Sequence, residues 1–451
     1  MLSAWKRCFI IMALSASICI PLAAETASAD SLLGTLALNI GVQQFTDPVL
    51  SSGLTNPVSY QSLGLSPDLD FGPFGVGMDL TINYRFQDGS PVIRQWDWWP
   101  QDPTVQSVAE LWLSKFTYVR WGKKGEPLFV KLGQIDDGSL GNGFIMSGYA
   151  NTCFVPDRIL FGMSLDFDAA LFNFPYVGFE SFIGNLTQFD VIGGRLYVRP
   201  LMLLNIPILK DLQVGGTIVA DTKPLLYTST VATTGTGTAV AVYGGDLRLP
   251  IVGLPVFSLT AFGDMATIAG KSLGGMIGAG GKLFGIMSYG AQMRVMGETF
   301  IPSYFDATYD LYRDNRYETA VNGTGTGLIA GYYGSAGFSL LDEKIVFNAS
   351  VSGPINPTSD TTNTNNYPHL KGVFLVKEGL LSGLSFTGSY DKQFITSWAD
   401  LISAANAAIQ AKLNYKTGPA VLSFVYKIVY DPTNTPAWEI TSGLESSIQL
   451  F

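Results

Sequence analysis

The chain has 451 residues, of which 47% are hydrophobic and only 14% are charged. An ordinary soluble domain carries roughly 25% charged residues, so the composition argues against a large water-covered surface. The net charge of −9 argues against a broad basic face for nucleic-acid phosphates. Beyond the N-terminus no apolar run reaches the ~20 residues of a membrane-spanning helix, which disfavours a polytopic helical transporter.

Residues 1–29 read as a secretory signal peptide. Lys6 and Arg7 form its positive region, Cys8 to Ala24 its apolar stretch, and Ala27-Ser28-Ala29 a small-x-small cleavage site. The expected mature chain, 30–451, keeps one cysteine, Cys153, and one histidine, His369. Neither an internal disulfide nor a Cys/His zinc cluster can be built from these.

The mature chain alternates with period 2, the mark of strands that send successive side chains to opposite faces. Leu36, Leu38, Ile40 and Val42 share one phase. In 74–86, Phe74, Val76, Met78, Leu80, Ile82, Tyr84 and Phe86 alternate with small or polar residues. Further apolar phases run through Phe161 to Leu171, Ile192 to Val198, Leu212 to Ala220, Leu283 to Val295, Leu328 to Leu340, Ile345 to Val351 and Leu422 to Tyr430. Tight turns join several of these, as between Trp121 and Leu128, Leu340 and Ile345, and Lys416 and Val421. Longer polar stretches, 46–70, 87–108, 222–236, 299–326 and 353–368, read as loops. The glycine-rich run Gly270 to Gly285 reads as a turn or short helix between strands, and the alanine-rich 399–411 as loop decoration. The pattern predicts an all-β, transmembrane antiparallel up-and-down β-barrel of about 16 strands, within 14–18, with long extracellular loops.

If the apolar phase faces lipid, the polar phase lines a lumen. That phase predicts pore-lining roles for Asp79, Arg85, Arg195, Arg199, Asp246, Arg248, Lys282, Arg294, Lys412 and Lys427. Asp166 and Asp168 read as polar lumen wall. Asp310, Arg313, Asp314 and Arg316 mix both signs in one loop, which makes them candidates for a constriction with a transverse field. Trp96, Trp98 and Trp99 sit in another long loop and are read as packing it on the rim or binding a partner. His369 is the only candidate for nucleophilic or acid–base chemistry and reads as a loop-end residue, so no catalytic site, metal site or cofactor is expected.

The signal peptide, the repeated amphipathic strands and the terminal Phe451 together resemble the outer-membrane β-barrels of diderm bacteria, in a porin-like form. Leu132-Gly133-Gln134-Ile135 with Leu140-Gly141-Asn142-Gly143-Phe144, and Pro302-Ser303-Tyr304-Phe305-Asp306 with Arg313, are similar to segments of uncharacterised members. The resemblance implies an outer-membrane location. It also implies insertion by a barrel-assembly machinery that reads the C-terminal strand ending in Phe451. Expected partners are outer-membrane lipid and small solutes, with no nucleic acid; a homo-oligomer is compatible with this surface.

The leading expectation is a pore for passive diffusion of small hydrophilic solutes, not an enzyme. Two alternatives stand beside it: a barrel for hydrophobic substrates, similar to long-chain fatty-acid transporters, and a structural or adhesive surface barrel acting through its loops.

Overall fold

Alternation becomes a closed wall. The computed structural model describes residues 33–45, 58–153, 158–204, 206–226, 237–341, 343–357, 364–403, 405–418, 420–430 and 438–449. The expected signal peptide and the terminal Phe451 lie outside the described residues.

The first part of the chain gives β1 (Leu33–Phe45), β2 (Val58–Phe71), β3 (Phe74–Met78), β4 (Leu80–Gln87) and β5 (Ser90–Ile93), then helix α1 (Val105–Leu113). Next come β6 (Phe116–Trp121), β7 (Leu128–Gly133), β8 (Gly138–Leu140), β9 (Met146–Tyr149), β10 (Gly162–Asp168), β11 (Val177–Ile183) and β12 (Val191–Val198). They are followed by β13 (Gln213–Asp221), β14 (Val240–Gly253), β15 (Ser258–Ile268), β16 (Ser272–Leu283) and β17 (Met287–Gly297). The rest comprises β18 (Phe305–Asp306), helix α2 (Arg313–Tyr317), β19 (Leu328–Leu340), β20 (Ile345–Pro354), β21 (His369–Leu381), β22 (Leu384–Lys392), β23 (Ala407–Thr417), β24 (Ala420–Tyr430) and β25 (Trp438–Gln449).

Each wall strand pairs with its neighbours, and β25 returns to β1 with Ala37 opposite Gln449 and Val42 opposite Leu444. β3 and β4 are two halves of one wall strand, interrupted at Asp79; β5 extends the edge of β4. β8, β9 and β18 form a separate small sheet off the wall. The wall is therefore a closed antiparallel barrel of 20 strands, more than the expected 14–18.

The shortfall has a physical source. All but the last residue of β2 lies inside 46–70, whose polar residues mask it, and the strand is held by five pairs with β4, from Gln61–Tyr84 to Leu65–Leu80. β16 occupies the glycine run expected as a turn or helix. Its glycines fall on both faces and erase the period, while neighbouring strands on both sides supply the hydrogen-bonded ladder. Gly274 faces inward, where an added Cβ would lie 2.6 Å from the Phe300 ring.

Elsewhere the phases fall as alternation requires. On β16, Ile277 is 70% exposed on the outer face. On β13, Val214 and Ile218 point outward while Thr217, Val219 and Asp221 are buried inward. Only a closed barrel or a helix satisfies every backbone group in lipid, and an even, antiparallel ring with an apolar outer phase meets that condition.

The two ends of the barrel differ. At one end the chain reverses through short turns, including 122–127, 254–257, 284–286, 341–344 and 382–383, although 199–212 is longer. At the other end lie 88–115, 298–327 and the described parts of 134–161, 222–239, 355–368 and 393–406. There α1 opens on a capping box: the Thr104 hydroxyl accepts from the Ser107 N–H at 3.0 Å, and the Ser107 hydroxyl from the Thr104 N–H at 2.9 Å. Trp98 packs edge-on against Trp112 of α1, with ring centroids 6.0 Å apart, and the Lys115 ammonium lies 4.7 Å from the Trp98 ring. Much of the Trp-rich loop is thus a folded cap.

Candidate functional site: an ion-paired insert across the lumen

The described parts of two long-end connections leave the wall and fold into the bore: 134–153 and 158–161, between β7 and β10, and 298–327, between β17 and β19. They join through β18, which runs parallel to β9, with Phe305 opposite Met146. The Ser303 N–H donates to the Phe144 carbonyl at 2.7 Å, and its hydroxyl donates to the Gly143 carbonyl at 2.9 Å. Phe144 stacks on Phe300 at 5.2 Å, and Tyr304, Phe305 and Tyr309 pack ring against ring at 4.7–5.6 Å. These aromatics are fully buried and merge with inward residues of the wall such as Phe182, Val219, Val242 and Ile329. A barrel interior this wide would otherwise be wet; here part of it is filled by a dry core.

Charges fasten the insert. Arg313 grips Asp221 of β13 in two bonds, Nε to Oδ2 and Nη2 to Oδ1, both 2.5 Å, and reaches Asp190 at 2.9 Å through Nη1. Tyr309 donates to the same Asp221 at 2.6 Å, and Tyr149 donates to Asp310 at 2.8 Å. Arg316 donates to Asp306 at 2.6 Å and to the Tyr304 carbonyl. Lys371 of β21 donates to the other Asp306 oxygen at 2.7 Å and lies 3.4 Å from Asp391, which also meets His369 at 2.7 Å.

The 134–161 segment is tied likewise. The Gly141 N–H donates to Glu180 at 2.9 Å, and Asn142 donates to Asp264 at 2.7 Å. Lys427 of β24 donates to the Cys153 carbonyl. Beneath it, Arg195 bridges Asp246, at 2.9 and 2.6 Å, and Glu180 at 3.0 Å. The anchors thus come from β11, β13 and β15 on one side and from β21 and β24 on the other, so the insert spans the bore.

This burial moves proton affinities within the insert. Burial, reinforced by the Asp190 and Asp221 carboxylates and only partly offset by Arg313, pushes Asp310 up to about 7. Burial alone would raise Asp306 too, but the charges of Arg316 and Lys371 outweigh it and hold that carboxyl below its ordinary range. Burial pushes the Cys153 thiol up, so it is not a reactive thiolate.

The residues singled out in the sequence take differing places. Asp310, Arg313 and Arg316 do lie on an inward loop, but they are buried and matched by opposite charges. These pairs hold the loop to the wall and to itself. Asp314 is half-buried and accepts from the Asn315 N–H at 2.7 Å. Of the inward phase, Arg195 and Asp246 pair with each other, Arg199 pairs with Asp168 at 2.6 Å, and Lys427 meets the insert. Arg85 lies 5.6 Å from the Tyr60 ring, and Asp79 accepts from the Thr81 hydroxyl. Arg248, Lys282 and Lys412 are exposed on the inward phase, and Arg294 is buried there.

Sequence reasoning did not find Asp190, Asp221, Asp264, Lys371 and Asp391, and it placed His369 at a solvated loop end. Asp221 carried a signal, since it follows the alternating run Leu212 to Ala220 in the inward phase. Nothing local marked it as the counter-charge of a residue 92 positions away.

No protein-family model matches the chain, and no curated protein matches it. Solved structures do resemble it along most of its length. OpdO of Pseudomonas aeruginosa is 12% identical with a TM-score of 0.36, covering 94% of this chain and 98% of that one. A BenF-like porin from Pseudomonas fluorescens Pf-5 is 12% identical with a TM-score of 0.34, covering 93% and 99%. Wzi of Escherichia coli, described as a carbohydrate-binding outer-membrane β-barrel involved in capsule assembly, is 12% identical with a TM-score of 0.32, covering 94% and 85%.

Proposed function

We propose that the chain is a pore-forming outer-membrane barrel through which small hydrophilic solutes diffuse passively, past a constriction made by the insert. The observation that carries this reading is the 20-strand closed wall with its polar phase turned inward. Rings of 16–18 strands already leave an aqueous channel. The wall keeps Arg248, Lys282 and Lys412 exposed on that phase. Export through the signal peptide 1–29 and insertion guided by Phe451 belong to the same proposal, as does residence in the outer membrane of a diderm bacterium.

The purified full chain in a planar lipid bilayer tests it. Discrete, ohmic current steps in potassium chloride are expected, and the absence of channels at any voltage would overturn the reading.

A further inference from the structure

The short-turn end of the barrel is not uniform around the ring. Four consecutive turns there, 169–176, 199–212, 254–257 and 284–286, join β10 to β11, β12 to β13, β14 to β15 and β16 to β17. Three of them contain no charged residue, and in the longest Arg199, Lys210 and Asp211 are half-buried. Phe172, Leu203, Leu254 and Phe284, one from each turn, are 62–76% exposed. Charge returns on either side of this arc, with Lys123, Lys124 and Glu126 in the turn before it and Glu343 and Lys344 in the turn after it. The four turns are linked in pairs. Arg199 donates to the Pro175 carbonyl at 2.7 Å, and the Phe284 N–H donates to the Val256 carbonyl at 2.6 Å. A contiguous exposed apolar patch marks an interaction surface.

The wall beside the patch identifies what covers it. β10 and β11 have 7 residues each and β12 has 8, whereas a membrane strand needs about 9–11. At about 3.3 Å per residue and a tilt of about 45°, these strands supply only about 16–19 Å of an apolar band about 25 Å tall. β14 runs on from Arg248, the partner of Gln213, to Gly253, past the end of β13. The Leu209–Asp211 turn lies beside β14, so the longest turn fills depth that β12 and β13 leave open. Leu196 and Val198, exposed on the outer face of β12, lead into it with no break in apolar character. Part of its backbone is satisfied from within, by the Leu204 N–H on the Leu201 carbonyl at 3.1 Å and the Lys210 N–H on the Ile206 carbonyl at 3.0 Å, as contact with lipid requires. We propose that these four turns are an interfacial anchor, with their apolar residues seated among phospholipids at the boundary of headgroups and acyl chains in the leaflet at the short-turn end. The barrel then stands deeper in the bilayer on this arc than beside Glu343 and Lys344. The inference rests on the membrane residence proposed above, and its test separates the two.

The test uses the full chain refolded into phosphatidylcholine vesicles, with one nitroxide label per variant. Leu204→Cys and Phe284→Cys place it on two separate turns of the arc, Ile277→Cys on the outer wall, and Glu343→Cys beyond the arc. The unsubstituted chain, in which Cys153 is buried, is the blank. Collision with oxygen relative to a water-soluble nickel chelate reads depth. The Leu204→Cys and Phe284→Cys labels should lie about 5–10 Å inside the headgroup boundary, and the Glu343→Cys label in water. The proposal is overturned if the two arc labels meet nickel as freely as the Glu343→Cys label does. It is equally overturned if they are immobilised and closed to both oxygen and nickel, which is the signature of a second copy of the chain covering the patch. An Ile277→Cys label that reads water would overturn membrane residence itself; lipid there with water at both arc sites would overturn this inference alone.

Discussion

Arg313 and Asp221 face each other across the bore in a two-bond ion pair, both bonds 2.5 Å, with neither side chain reaching solvent. The arginine belongs to a loop and the aspartate to the wall, so this contact decides where the loop lies. Truncating the arginine leaves Asp221, Asp190 and Asp310 buried around an empty position. Arg313→Ala should therefore destabilise the insert by about 3–5 kcal/mol. It should also raise single-channel conductance and current noise as the loop swings free, and bilayer recording of the variant checks both. Adding Asp221→Asn should give back part of the stability, because one of the stranded charges is then gone.

Asp310 makes the same lock sensitive to pH. Its native carboxyl holds a proton up to about 7, whereas an unfolded chain releases it near 3.9. The stabilisation from that proton is full below about pH 4 and is lost as the pH rises through about 7. Thermal unfolding should thus show a midpoint that falls between about pH 4 and pH 7. Asp310→Asn, which can still accept from Tyr149, should flatten that slope; an unchanged slope would remove Asp310 as its source.

Close packing of wall and insert depends on one missing side chain. A Cβ on Gly274 would meet the Phe300 ring at 2.6 Å, and Phe300 stacks on Phe144. Gly274→Ala should cost about 1–3 kcal/mol by displacing that stack. Gly334→Ala, where nothing lies within 4 Å, should be near neutral, and paired thermal melts compare them.

The outer face offers a test of membrane residence. Ile277→Arg puts a charge on the lipid side and should lower folding stability by about 2–4 kcal/mol if the site lies near the bilayer midplane. Ser288→Arg, on the inward phase of β17, should be tolerated. The heat-modifiable band on a gel reports the folded fraction of each, and equal behaviour of the two would contradict the assignment of faces.

Much of the wall is legible in the amino-acid sequence. A strand has a period of two residues, so lipid-facing and lumen-facing sets separate along the chain itself, as Phe74 to Phe86 and Leu328 to Leu340 show. Legibility failed where side chains are small or polar on both faces. β2 and β16 are strands because their neighbours complete their hydrogen bonds, and that information lies outside their own residues.

Of the site, the sequence marked Arg195, Asp246, Arg294 and the charged loop Asp310 to Arg316 by phase and composition alone. Only the tertiary structure decided what those charges do. Closing the ring brings Asp190, Asp221 and Lys371 to the loop, and buried charges must find partners wherever the chain delivers them. Closure paired Arg313 and Arg316 with acids and, among the described residues, left Arg294 without one. The sequence by itself determined an apolar outer phase, a polar inner one and a chain too sparsely charged for water. Which polar residues meet inside was settled by contacts between segments far apart in the chain, and no local period encodes those.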